Sequence, residues 1–178
     1  MDGYSILEEE EIAEERALEA ARLGAAITGR PIRSLKTLKP SVWVGPGASI
    51  RDAVAVMNQH RVGCVLVVEH HRLVGIFTER DVLRKVVARG SALDATPVGE
   101  VMTAAPECLT LDDGIAYALN IMHDGGFRRI PLVDDAGHPT GVVTMRNIVD
   151  DIVDLFANEV LNLPPKPALE IAREREGA

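Results

Sequence analysis

From Pro31 onward the apolar positions change period in a fixed order. A short extended piece at Ser41 to Val44 runs into the turn signal Gly45-Pro46-Gly47. Ile50, Ala53, Val54 and Met57 then fall on one helical face, with a start at Ser49 and Gly63 just past the end. Cys64 to Val68 and Leu73 to Phe77 are branched-aliphatic runs separated by Glu69-His70-His71-Arg72, which predicts a β-hairpin. Thr78 closes the second strand and stands at the N-cap of a helix carrying Val82, Leu83, Val86 and Val87.

The stretch Ala88 to Val98, with Gly90, Ser91 and Pro97, reads as a linker, after which the order recurs. Cys108 to Leu111 is extended, Asp112 or Asp113 caps a helix bearing Ile115, Leu119 and Met122, and Gly125-Gly126 stops it. Ile130 to Val133 and Gly141 to Val143 form a second hairpin across Asp134-Asp135-Ala136-Gly137, and Thr144 caps the last helix. The halves align at an offset of 65 from Ile50 to Ile115 and of 66 from Gly75 to Gly141, a one-residue insertion in the hairpin turn. Each half is too small to bury both faces of a three-stranded sheet, so the two sheets are expected to pack together about a pseudo-two-fold axis. The expected organisation is residues 1–30 as leader, 31–90 as the first repeat, 91–162 as linker and second repeat, and 163–178 as a charged tail.

Outside the repeats, Ser5-Ile6-Leu7-Glu8 has capping-box spacing, and residues 5–23 read as an amphipathic helix with Ile6, Ile12, Leu18 and Leu23 on a narrow apolar stripe. Gly24 is its expected stop. The stripe suits packing on the domain or on a partner subunit, and a solvated leader is the competing reading. At the other end the last helix is expected to reach about Leu161, before Pro164-Pro165-Lys166-Pro167 breaks it.

Composition narrows the function. The 178 residues are 47% hydrophobic and only 3% aromatic, so a core of Val, Ile, Leu, Ala and Met is expected, with no stacking platform for single-stranded nucleic acid. A formal net charge of −8 argues against general electrostatic binding to nucleic acid or to an anionic membrane. Cys64 and Cys108 lack paired metal-ligand spacing and fit reduced thiols, and the five histidines show no His-x-x-x-His pattern. No basic region followed by an apolar stretch marks the N-terminus, and the longest apolar run falls far short of the roughly 20 residues of a membrane-spanning helix. The expectation is a soluble, cytoplasmic protein. No Gly-x-Ser-x-Gly elbow, Walker-type loop or carboxylate pair indicates an enzyme.

The chemistry concentrates in one turn written twice. Gly75-Ile76-Phe77-Thr78-Glu79-Arg80-Asp81 corresponds to Gly141-Val142-Val143-Thr144-Met145-Arg146-Asn147. Each is a strand-to-helix turn with free backbone N–H groups, which can hold an anion, and a hydroxyl followed three residues on by a carboxylate or amide adds contacts for a sugar.

A β-α-β-β-α repeat whose copies end in Gly-x-x-Thr-x-x-Asp/Asn resembles a tandem pair of CBS domains, the Bateman module. Val101-Met102-Thr103 with Pro106, Ala118-Leu119 with Met122, and Gly126-Phe127-Arg128-Arg129-Ile130-Pro131-Leu132-Val133-Asp134 carry the resemblance in the second copy, and it covers about residues 31 to 160. It implies an α/β (α+β) fold and a stand-alone regulatory module binding an adenosyl ligand, with AMP, ADP or ATP first and S-adenosylmethionine second. No further cofactor is required. It also implies a flat homodimer that signals to a regulated protein in trans.

By that resemblance Asp81 accepts from the ribose diol and Thr78 sits near the ribose or phosphate. Asn147 has one acceptor oxygen and no charge, so Thr144 and Asn147 make the weaker second site. Arg80, Arg128, Arg129 and Arg146 stand beside the signatures as phosphate ligands, and Arg128 and Arg129 are preferred. Val42, Val62, Val65 and Ile130 are positioned for an adenine slot, with core packing as the competing role. The competing function is a ligand-independent dimerisation or scaffold protein of the same fold.

Overall fold

In the computed structural model the described residues are 29–38 and 40–155, together with Gly24. The expected helix over 5–23, the end of the last helix near Leu161 and the charged tail lie outside the described residues. Gly24, expected to stop the leader helix, is itself helical.

The first repeat contains β1 (Trp43–Val44), α1 (Ile50–His60), β2 (Cys64–Glu69), β3 (Arg72–Thr78) and α2 (Glu79–Asp81), which runs on as a π-helical segment, Val82–Val87. The second contains β4 (Thr103–Ala104), α3 (Ile115–Gly125), β5 (Arg129–Val133), β6 (Pro139–Thr144) and α4 (Met145–Leu155). Ser49 caps α1 by accepting from the Asp52 backbone N–H, as its position predicts. The expected Asp112 or Asp113 cap of α3 is not used. Gly114 is the N-cap, and Asp113 instead accepts from the backbone and hydroxyl of Thr110. The β2–β3 loop is the two-residue turn His70-His71, both residues left-handed, a backbone that matches the twist of a hairpin.

Two three-stranded sheets are not what forms. β1 pairs parallel with β2, β2 antiparallel with β3, and β4, from beyond the linker, joins β3 to make a four-stranded sheet. β5 and β6 form a two-stranded sheet, and the extended piece after Cys108 contributes only a bridge from Leu109 to Leu132. The chain has exchanged its entry segments between the repeats, which explains this redistribution. Ile32 and Leu35 pack in the second core with Ile115, Met122, Ile130 and Leu132, while Val98 and Val101 pack in the first with Ile50, Val65 and Phe77. The exchange is reciprocal in its hydrogen bonds. Ile32 N–H donates to Asp113 and Ile115 N–H to Arg30, and in the other half Val98 N–H donates to Ala48 and Ile50 N–H to Thr96. That pairing expresses the pseudo-two-fold relation.

β2 and β3 are covered on both faces, so Cys64–Val68 reads as a continuous apolar run rather than an alternation. Val65, Val67 and Phe77 face the first helical core, whereas Cys64, Leu66 and Ile76 face Val142 of the other repeat. The two strand-to-helix turns therefore emerge on either side of a shared inter-repeat layer. No helix among the described residues is long and apolar enough to cross a membrane.

Candidate functional site

Each repeated turn closes on itself. Asp81 Oδ2 accepts from the Thr78 backbone N–H at 2.9 Å and from the Thr78 hydroxyl at 2.7 Å, and the Asp81 N–H donates back to Thr78 Oγ1 at 3.3 Å. Asn147 Oδ1 does the same with Thr144, at 2.8 and 2.6 Å. One oxygen of each side chain thus serves as the reciprocal cap of the following helix, which is why Thr-x-x-Asp and Thr-x-x-Asn both fold into this turn.

The remaining atoms distinguish the copies. Asp81 Oδ1 meets Lys85 Nζ at 2.7 Å and lies 3.4 Å from the Thr103 hydroxyl. Asn147 Nδ2 donates to the Thr37 carbonyl and hydroxyl at 2.9 and 3.0 Å. Where the first copy has Lys85 one turn on, the second has Asp151, buried and held by both guanidinium nitrogens of Arg30 at 2.5 and 3.0 Å. Thr103 and Thr37 had no signal in the linear motif, because the exchanged entry segments bring them to the turns from elsewhere in the chain, whereas Lys85 stands at i,i+4 from Asp81 and was legible as a local pair.

Two clefts open over these turns, both within the size range of small-molecule sites. The first, about 490 Å³, is lined by Thr78, Arg80, Asp81, Thr103, Phe127 and Pro131 among others. The second, about 910 Å³, is lined by Thr37, Val42, Arg61, Val62, Thr144 and Asn147 among others. Arg128 and Arg129 line both.

Of the expected site residues, Thr78, Arg80 and Asp81 come together at the first cleft, and Val42, Val62, Thr144, Arg146 and Asn147 at the second. Val65 and Ile130 require correction. Both are fully buried, in the first and second cores respectively, and line neither cleft, since their strand positions point away from the inter-repeat layer. Ile76 and Phe127 supply apolar surface in the first cleft instead.

The arginines are unequal in what they have left to offer. Arg80 donates to the Gly126 carbonyl at 2.6 Å, Arg129 meets Glu79 at 3.2 Å, and Arg146 stands 3.6 Å from Asp150. Arg129 lies so close over Gly63 that a Cβ there would collide with its guanidinium and with the Glu79 carboxylate. Beneath them burial pushes the Cys64 thiol up to about 11; Arg129 pulls it down and Glu79 pushes it further up. Among the described residues no group of three or more His, Cys, Asp or Glu side chains is arranged to hold a metal ion.

Comparison with known proteins places this geometry. The CBS domain family model matches twice, over residues 32–88 and 98–154. A mitochondrial CBS domain-containing protein of Arabidopsis thaliana, CBSX3, is 34% identical over 127 residues, covering 68% of this chain and 61% of the relative. Another from the same plant, CBSCBSPB3, is 33% identical but is matched over only 21% of its length. An uncharacterised 17.7 kDa protein of Acidianus ambivalens is 32% identical, covering 72% of this chain and 74% of that one. Among solved structures, the CBS domain protein NE2398 superposes with a TM-score of 0.64 at 28% identity, covering 70% of this chain and 98% of the other. With two matched repeats, the exchanged entry segments and the paired strand-to-helix turns, the chain belongs to the CBS domain family.

Proposed function

We propose that this protein is a regulatory module that binds an adenosyl ligand, of the AMP, ADP, ATP or S-adenosylmethionine class, in the clefts between its repeats and signals the occupancy to a partner protein in trans. The single observation that carries the reading is the pair of related clefts, each floored by a Thr-x-x-Asp/Asn turn and both reached by Arg128 and Arg129. A ribose diol entering the first cleft can replace the Thr103 hydroxyl, the longest contact of Asp81 Oδ1, without breaking the Thr78 cap. Ribose recognition by a carboxylate therefore favours Asp81 over Asn147.

Two solved structures of this fold support the ligand class. A CBS domain protein of Pyrobaculum aerophilum, PAE2072, is complexed with AMP, and the CBS domain pair of MJ0100 is in complex with 5′-methylthioadenosine and S-adenosylmethionine. Both are 24% identical to this chain, so they lend the shared architecture and not the residues. The role is regulatory rather than catalytic, and the setting cytoplasmic.

A homodimer belongs to the same proposal. Leu83 and Val87, one turn apart, are 68% and 65% exposed, and Val149 and Leu155 on α4 are also exposed. Leu83 and Val149 occupy equivalent positions in the two repeats, so each carries an exposed apolar side chain at the same place, at the edge of its own cleft. The ligand-independent scaffold remains the second reading on one observation: the Asn147 amide is already satisfied within the fold.

Titration calorimetry of the full chain with AMP, ADP, ATP and S-adenosylmethionine, with light scattering on the same samples, tests the proposal. Saturable binding by at least one is expected. A dimer that binds none of them at millimolar concentration refutes the sensor in favour of the scaffold.

A further inference from the structure

The two clefts differ in a way that Asp81 and Asn147 do not express. Helices α1 and α3 both end in a left-handed residue, Arg61 with φ of 52° and Gly126 with φ of 63°. These are equivalent positions of the two repeats. Glycine adopts that backbone freely and arginine does not. The first repeat therefore spends conformational strain on a side chain at this cap, and that side chain lines the second cleft. In the first cleft the equivalent position has no side chain, and the Gly126 carbonyl occupies the Arg80 guanidinium.

Pairing sharpens the contrast. Among the described residues the Arg61 and Arg128 guanidiniums have no ion-pair or hydrogen-bond partner, and both line the second cleft, where Asp150 is the sole carboxylate and already faces Arg146. The first cleft shares Arg128, but its own cation is committed and its lining carries Glu79, Asp81 and Glu107. Glu79 holds Arg129 and Asp81 is met by Lys85, which leaves Glu107 unpaired. A phosphate entering the first cleft meets three arginines balanced by three carboxylates, and one entering the second meets four arginines against Asp150 alone, with Arg61 unpaired among the described residues.

We propose that the clefts sort adenosyl ligands by charge. The Thr144–Asn147 cleft takes the phosphate-bearing ligand, with Arg61 as a specificity-determining phosphate contact, and the Thr78–Asp81 cleft takes an adenosyl compound without phosphate, whose ribose Asp81 holds. This rests on the adenosyl reading above and adds which chemistry goes where. It also reverses the order of the clefts for nucleotides that the ribose contact alone implies.

The test is calorimetry of the full chain and of Arg61→Gly with AMP and with 5′-methylthioadenosine, alone and each in the presence of the other. Glycine suits the left-handed backbone, so the variant is expected to melt no lower than the parent. The expected result is simultaneous binding of the two ligands to the parent, with AMP weakened at least about tenfold in Arg61→Gly, as for loss of a charge-assisted contact, and 5′-methylthioadenosine changed less than about twofold. A second variant, Gly126→Arg, supplies the missing cation to the first cleft and is expected to let AMP compete there with 5′-methylthioadenosine. AMP binding to Arg61→Gly at the parent's strength, or direct competition of the two ligands in the parent, overturns the sorting. Failure of both ligands to bind the parent overturns the adenosyl reading and this inference together.

Discussion

The two repeats use one backbone plan and opposite electrostatics. In the first, a carboxylate at the turn is answered one helical turn later by Lys85; in the second, a neutral amide at the turn is followed by Asp151, which must be answered from 121 residues away by Arg30. Where the second repeat enters β5 through Arg128 and Arg129, the first has Gly63 and Cys64, and the vacated space is filled by Arg129 reaching across. The lesson is that the repeats are not two copies of one site. Each has given up groups that the other supplies: Arg129 of the second repeat pairs with Glu79 of the first and lines both clefts.

The largest expected effect tests the exchange of entry segments. Ile32 opens the first repeat in sequence yet is fully buried in the second core, so Ile32→Ala is expected to cost about 3–4 kcal/mol, within the usual span for such truncations. Hydrogen exchange should show the loss of protection in α3 and the β5–β6 hairpin first. Protection lost mainly in β2 and β3 would show that each repeat folds around its own entry segment.

A smaller effect separates the two charge arrangements. Arg30→Ala leaves the Asp151 carboxylate buried and unanswered, and since Arg30 is itself partly exposed the expected cost is about 2–3 kcal/mol, below that of a fully buried pair. Denaturant unfolding would measure it, and restoration by Asp151→Asn in the Arg30→Ala background would identify the stranded charge as the cause. If the double variant is no more stable than Arg30→Ala alone, the loss comes from packing.

The smallest is a pH dependence larger in the first repeat, where Cys64 stands in the position that Arg129 fills in the second; burial raises the Cys108 thiol of the second repeat as well. Its folded value is raised from 9.0 to about 11, so the contribution to stability is complete below pH 9 and is lost as pH rises toward 11. The loss is expected to be on the order of 2 kcal/mol, and Cys64→Ala should flatten that part of the stability profile. An unchanged alkaline limb in the variant would assign the loss to other groups.

Much of the fold was legible in the chain because the repeat states each element twice: both hairpins, the Ser49 cap, the Gly126 stop and the two Thr-x-x-Asp/Asn turns follow from local period and capping chemistry. The candidate site was legible as far as those turns and the arginines beside them. Val65 and Ile130 misled because an apolar residue in a strand has the same signature whether it faces a core or a cleft. Arg61 gave a signal only by comparison between repeats, as a charged residue where the second copy has glycine.

By itself, then, the sequence determined the order of elements, the duplication and the two capped turns, all of which depend on contacts between residues a few positions apart. Tertiary structure alone decided that Ile32 and Val98 change places between cores, that Thr103 and Thr37 complete the turns, and that Arg128 and Arg129 serve both clefts. These contacts join segments far apart in the chain, and no local period or cap records which distant partner closes a buried hydrogen bond or answers a charge.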